Sequence, residues 1–181
     1  PWIDDKKFFD ADRQNLPKIY EEDDKSFVED GMSEIVKGED VCIVTTGYTT
    51  HQALRLRENL QNFGINAGIV DVFRIEPFNG GKLASILNNY NSAVTWEENF
   101  INGGLGSIVA ETLADNDIGM PLKRIAVPQK YYFENDSEFG GRKYIHKLAG
   151  IDSESAEIRI REFHNAYRSK HPKSAYTSDD S

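Results

Sequence analysis

The sequence has very little cysteine and no long run of apolar residues. Its one cysteine, Cys42, lies in a short apolar stretch, which excludes an internal disulfide and most cysteine-based metal sites and favours a buried structural thiol. No stretch approaches the ~18 apolar residues of a membrane helix, and no basic segment followed by an apolar one marks a signal peptide. These absences predict a cytoplasmic protein without a membrane partner.

Positive charge is also scarce. The chain of 181 residues carries 21 Lys and Arg against 30 Asp and Glu, a formal net charge of -9. Because phosphate backbones bind to basic surfaces, we expect no nucleic-acid partner. The four histidines lack the spacing of metal ligands, so the sequence predicts no metal site. One of them, His51, follows a tight turn at a predicted helix start, where it would bind an anion, act as an acid or serve a structural role.

Apolar runs and helical spacings alternate along the middle of the chain. The runs are continuous, as in buried parallel strands, and they cover Val41 to Val44, Gly68 to Val72, Ala93 to Trp96 and Ile125 to Val127. A further edge strand is expected at residues 32–36. Strands that alternate with helices predict an α/β fold, a three-layer sandwich with a mostly parallel sheet of about five strands.

Residues typical of helix starts and ends indicate where the helices lie. Thr49 and Gln52 have the spacing of a capping box, and Gly64 follows the apolar stripe of the same helix. Two more helices are expected at residues 142–149 and 153–168. The tail, residues 169–181, has no apolar pattern and is expected to be disordered.

A glycine turn follows two adjacent acids. Glu97 and Glu98 end an apolar run, and Gly103, Gly104 and Gly106 open the next helical pattern. Glycines let the backbone approach a group closely at a helix N-terminus, which favours negative charge. The acids point to opposite faces of a strand and cannot form a carboxylate pair. The turn therefore predicts either a subunit interface or an anion-binding loop, whereas the missing G-x-G-x-x-G spacing disfavours a nucleotide-binding domain.

Four segments in this order resemble the C-terminal domain of transketolase-like thiamine diphosphate enzymes. They are residues 38–47, 64–72, 75–78 and 94–107, and the resemblance covers roughly Lys37 to Ile151. These enzymes include transketolase, deoxyxylulose-5-phosphate synthase and the beta subunits of 2-oxoacid dehydrogenases. Residues 12–17 resemble the Ser-Arg-Gln-Asn-Leu segment that closes the pyrimidine-binding domain of transketolases, with Asp12 in place of the serine.

The resemblance implies a domain organisation. Residues 1–15 would be the end of the pyrimidine-binding domain, residues 16–36 a linker and edge strand, residues 37–168 the transketolase C-terminal-like domain, and residues 169–181 the tail. Arg13 would bind the phosphate of a sugar substrate, because a guanidinium donates two parallel hydrogen bonds to phosphate. No catalytic residue is expected in this chain.

The resemblance also implies a function and partners. The parent enzyme would transfer a two-carbon ketol unit between sugar phosphates, with thiamine diphosphate and Mg or Ca bound by N-terminal domains on the same or a separate chain. This chain would serve dimer assembly rather than chemistry, as part of a homodimer, and would be inactive alone. The alternatives are the C-terminal domain of a 2-oxoacid dehydrogenase beta subunit and a stand-alone protein-binding module. The Arg-Gln-Asn-Leu-Pro match favours the sugar-phosphate branch.

Overall fold

The computed structural model describes residues 19–20, 29–130, 132 and 141–171. In this part of the chain the strands are β1 (Met32–Val36), β2 (Val41–Thr45), β3 (Ala67–Val72), β4 (Ser92–Phe100) and β5 (Leu122–Val127). The helices are α1 (Tyr48–Asn62), α2 (Gly80–Leu87), α3 (Leu105–Asp115), α4 (Arg142–Ala149) and α5 (Ser153–Lys170). None of these helices is both long and apolar enough to cross a membrane.

The strands form one sheet in the order β1-β3-β2-β4-β5. Strand β1 runs antiparallel to β3 at one edge, and the other pairs are parallel. The expected α/β fold with a mostly parallel five-stranded sheet is therefore confirmed. Because β2, β3, β4 and β5 share a direction, their carboxyl ends lie at the same edge of the sheet. We call this edge the carboxyl edge, and it is where ligands of open α/β sheets bind.

Alternate residues of each strand pack into two separate cores, one on each face of the sheet. Val41 and Ile43 of β2 pack with α1 and α5, whereas Cys42 and Val44 pack with α2 and α3. These three layers are the expected sandwich. Burial, with a smaller contribution from the charge of Glu34, raises the pKa of the Cys42 thiol far above its ordinary value. Cys42 is therefore a structural thiol, as its apolar surroundings in the sequence predict.

The predicted capping box at the start of α1 is wrong. The helix begins at Tyr48, its N-cap is Gly47, and no side chain caps it. The Thr49 hydroxyl lies 2.9 Å from the carbonyl oxygen of Trp96 in β4, and the Gln52 amide oxygen accepts a hydrogen bond of 2.8 Å from Ser153. Contacts with other elements therefore take both side chains away from the helix end.

The end of the chain also differs from the prediction. Helix α5 continues to Lys170, so the expected disordered tail does not begin at Ser169. The helix starts at an N-cap, Asp152, whose carboxylate accepts a hydrogen bond of 3.1 Å from the backbone of Ser155. Residues 172–181 of the expected tail and residues 1–18, which include Arg13, lie outside the described residues.

Candidate functional site

The Glu97 side chain lies at the carboxyl edge and is fully buried. One carboxylate oxygen accepts a hydrogen bond of 2.7 Å from the backbone N–H of Leu105, and the other accepts one of 2.7 Å from Gly106. These are the first two residues of α3, whose N–H groups have no partner inside the helix. A carboxylate is also favoured there by the helix dipole. Both of these N–H groups are therefore bound by the chain's own Glu97.

The glycines of the turn allow this close approach. A Cβ atom on Gly104 would overlap the Glu97 carboxylate and lie 2.7 Å from the carbonyl oxygen of Phe100. Gly103 has a φ of 78°, in the left-handed region that side chains disfavour. The glycine turn therefore leaves room for Glu97 to act as a buried cap on α3.

Arg124 of β5, which no sequence pattern singles out, also contacts this turn. Its Nη1 atom donates a hydrogen bond of 3.0 Å to the carbonyl oxygen of Ile101 and lies 3.4 Å from the Ser107 hydroxyl. That hydroxyl accepts a hydrogen bond of 3.0 Å from the N–H of Gly103. No local pattern relates Arg124 to the turn, although an arginine next to the apolar end of a buried strand is an unusual placement.

Glu98 points to the opposite face from Glu97, as strand geometry predicts. One of its oxygens lies 2.7 Å from Nε2 of His146 and 2.8 Å from Nε of Arg142, both in α4. Burial raises the pKa of Glu98, but the hydrogen bond from His146 and the charge of Arg142 outweigh burial, so the pKa falls below its ordinary value. The two adjacent acids thus serve two different helices.

An aromatic side chain completes the surroundings of Glu98. The Arg142 guanidinium lies 4.4 Å from the ring centre of Tyr48, the first residue of α1, and the rings of Tyr48 and His146 are 5.8 Å apart. We call Glu98, His146, Arg142 and Tyr48 the Glu98 cluster. It joins α1, β4 and α4 at the carboxyl edge. No local sequence pattern relates His146, Arg142 and Tyr48 to Glu98, because these contacts join residues far apart in the chain.

Comparison with known proteins identifies the family of this fold. The model of the transketolase C-terminal domain family matches residues 31–139, more than half of the chain. The chain belongs to this family. It is 33% identical over 129 residues to 1-deoxy-D-xylulose-5-phosphate synthase of Aquifex aeolicus, covering 71% of this chain and 20% of that protein. It is 31% identical over 144 residues to one of the subunits of apulose-4-phosphate transketolase from Actinobacillus succinogenes, covering 80% of this chain and 45% of that protein.

A solved structure supports the same assignment. A split gene transketolase, described as an inactive beta4 tetramer, superposes with a TM-score of 0.70 at 25% identity, covering 84% of this chain and 47% of that one. This chain therefore spans less than half the length of each of these three proteins. The resemblance of residues 38–107 to the C-terminal domain of transketolase-like enzymes is thus confirmed for the family and for the fold.

The predicted site residue His51 lies in the first turn of α1 of this transketolase C-terminal domain. Burial lowers the pKa of its imidazole, the charge of Asp71 opposes this effect, and Arg55 adds to it. Its Nδ1 atom is buried and, within the described part of the chain, has no hydrogen-bond partner. Asp71 and Arg55 are thus charged groups that influence the pKa of His51.

The described residues do not fit a site for the family's cofactor or its metal. Across residues 19–20, 29–130, 132 and 141–171, no three His, Cys, Asp or Glu side chains come together where they would hold a metal ion. The N–H groups at the start of α3, which would suit a diphosphate, are bound to Glu97. A diphosphate could bind these two N–H groups only by displacing Glu97.

The Glu98 cluster predicts a dependence of stability on pH. We expect Glu98→Gln to lower the free energy of unfolding near neutral pH by at most about 1 kcal/mol, since Arg142 is exposed to water. The pKa of Glu98 is lower in the folded protein than its ordinary value of 4.5, so its contribution is complete above that value and lost as the pH falls through the lowered pKa.

Urea unfolding of wild type and Glu98→Gln between about pH 6 and about pH 3 measures this contribution. The two stability curves should converge as the pH falls. A difference that stayed constant or grew towards acid pH would contradict the assignment of the pKa shift to Glu98.

Proposed function

We propose that this domain belongs to a thiamine diphosphate-dependent enzyme that transfers a two-carbon ketol unit between sugar phosphates. In that enzyme the domain serves assembly of a dimer rather than chemistry. The observation that carries the proposal is that both acids at the carboxyl edge, Glu97 and Glu98, are hydrogen-bonded within the chain. Both are engaged by groups of the chain itself, at the place where ligands of such folds otherwise bind.

Because of these contacts, neither acid is available as a general base or a nucleophile at this edge. Glu97 uses both oxygens to bind the start of α3 and is inaccessible to solvent. Glu98 is hydrogen-bonded to His146 and Arg142, which also favour its ionised form. Cys42 is buried, and its raised pKa keeps it a thiol. A general base or nucleophile needs access to substrate. Glu97 and Cys42 lack that access, and Glu98 is occupied by its two partners, so these residues support a structural role.

The names of the relatives support a divided enzyme. One relative is named as a subunit of an apulose-4-phosphate transketolase, and the structural neighbour is a split gene transketolase described as an inactive beta4 tetramer. That protein, which includes a domain of this fold, assembles without activity. By analogy, this domain would assemble and gain activity only with thiamine-binding domains, on the same polypeptide or on a separate one.

Under this proposal the cofactor and the substrate phosphate bind outside the described residues. Thiamine diphosphate, when bound by the N-terminal domains with Mg or Ca, supplies the electron sink for the ketol carbanion. In this chain, Arg13 would bind the phosphate of the sugar substrate through paired charge-assisted hydrogen bonds. The domain itself would hold the subunits together.

The test is the mass and the cofactor binding of the protein that carries this domain. Light scattering and calorimetry are performed first on a polypeptide without the thiamine-binding domains and then after these domains are added. We expect a dimer that binds no thiamine diphosphate alone and, after the domains are added, a complex that transfers ketol units. Cofactor binding by the first sample would contradict the proposal, and so would a monomer that does not associate with the added domains.

A further inference from the structure

Tyr20 lies in the predicted linker, residues 16–36, and contacts the end of β3. Its hydroxyl donates a hydrogen bond of 2.7 Å to Oδ2 of Asp71. Its ring packs edge-on against the ring of Phe73, with centroids 5.6 Å apart and planes at 81°. An edge-on aromatic pair is favourable beyond the apolar area that it buries. Tyr20 therefore contacts the carboxyl edge through its hydroxyl and through its ring.

Asp71 is a buried acid that needs this partner. It lies within β3 and is 6% exposed. Its Oδ1 atom accepts a hydrogen bond of 2.6 Å from the Thr50 hydroxyl in the first turn of α1. Since a buried carboxylate is costly unless its oxygens are hydrogen-bonded, the second oxygen also requires a donor. The linker supplies that donor through Tyr20.

The residues that follow β3 hold the downstream part of the linker. The backbone N–H groups of Phe73 and Arg74 donate hydrogen bonds of 3.1 and 3.0 Å to the carbonyl oxygen of Gly31. Nη2 of Arg74 donates a further one of 3.2 Å to the carbonyl oxygen of Glu29. Gly31 has a φ of 72°, which suits a turn against β3. Residues 71–74 thus contact the linker at two separate points.

We propose that Asp71 is a docking site for Tyr20 and that this contact sets the path by which the linker enters the domain. The inference rests on the proposed function and on its domain organisation, in which the linker follows the end of the pyrimidine-binding domain at residues 1–15. Tyr20 is a positioning residue that touches no substrate. Its hydroxyl ties the linker to β3, and through Asp71 and Thr50 also to α1.

The test is Tyr20→Phe in the full protein, which keeps the ring against Phe73 and removes the donor. Hydrogen exchange is measured in peptides that contain residue 20 and residues 29–31. A hydrogen bond to a charged group is strong enough for its loss to speed local opening by about tenfold. Tyr132→Phe is the matched control, because among the described residues the Tyr132 hydroxyl makes one long contact, of 3.4 Å, with the carbonyl oxygen of Pro128. It should leave exchange near Tyr20 unchanged.

A second variant shows whether Tyr20 acts through Asp71. In an Asp71→Asn background, Tyr20→Phe should speed exchange less, because a neutral amide accepts a hydrogen bond more weakly than a carboxylate. An equal effect in both backgrounds would overturn the proposal, as would unchanged exchange in Tyr20→Phe itself.

The two proposals fail separately. If Tyr20→Phe leaves exchange unchanged while the wild-type protein still assembles with the thiamine-binding domains, the docking of the linker is overturned and the proposed function stands. If the exchange changes as expected but the wild type does not assemble, the proposed function is overturned.

Discussion

Glu97→Ala is expected to destabilise the domain by about 3 to 5 kcal/mol. The change leaves the N–H groups of Leu105 and Gly106 without their acceptor in a buried site, and it removes a favourable charge from the start of α3. It also leaves a cavity where the side chain was fully buried. Glu97→Gln should lower the free energy of unfolding less than Glu97→Ala does, because the amide keeps one acceptor oxygen. Some loss remains, because the NH₂ group of the amide faces a backbone donor.

Urea unfolding near neutral pH measures these losses. Glu98→Ala is the control, since it removes the next acid of the same strand, which is paired at the half-exposed surface with Arg142. Its cost should be about 1 kcal/mol. Equal losses for Glu97→Ala and Glu98→Ala would contradict the burial of the cap. Glu97→Gln remains the informative variant if Glu97→Ala does not fold.

Gly104→Ala is expected to lower the free energy of unfolding by about 2 to 4 kcal/mol. The added Cβ would overlap the Glu97 carboxylate and lie 2.7 Å from the carbonyl oxygen of Phe100. Either the cap or the turn must shift to make room. Gly81→Ala is the matched control, because a Cβ there would find its nearest atom, Asn79 Oδ1, only at 4.0 Å. This variant should be neutral or more stable by up to about 1 kcal/mol.

A double-mutant cycle relates the two effects. In a Glu97→Ala background the Cβ of Gly104→Ala meets no carboxylate, so the cost of the glycine substitution should fall by about 1 kcal/mol or more. Thermal or urea unfolding of the four proteins gives this coupling. Strict additivity would show that the clash with Phe100 alone determines the cost at Gly104.

The position of the sheet could be predicted because its signal is local. A run such as Val41 to Val44 is apolar at every position, which is compatible with a strand buried on both faces. Both faces are indeed covered, as the separate packing of Ile43 and Cys42 shows. The helical stripes between the runs are equally local, and alternation of the two patterns restricts the connections to a few topologies.

Helix ends were harder to predict, because several partners compete for the same side chain. Thr49 has the residue type and spacing of a cap, yet its hydroxyl contacts the backbone of Trp96. Gln52 meets Ser153, which is 101 residues away in the chain. A spacing rule cannot weigh a local cap against a partner supplied by another element.

The amino-acid sequence alone was sufficient to predict the family, the layered α/β fold and the opposite directions of the Glu97 and Glu98 side chains. All three follow from patterns within a few residues or from the order of segments along the chain. The hydrogen-bond partners of these acids, in contrast, depend on the tertiary structure. Glu97 meets the start of α3 because the glycine turn brings that helix back onto its own strand. Glu98 meets α4, and Asp71 meets Tyr20 from 51 residues away. Such contacts depend on how separate elements pack, and buried polar groups take whichever partners that packing brings within reach.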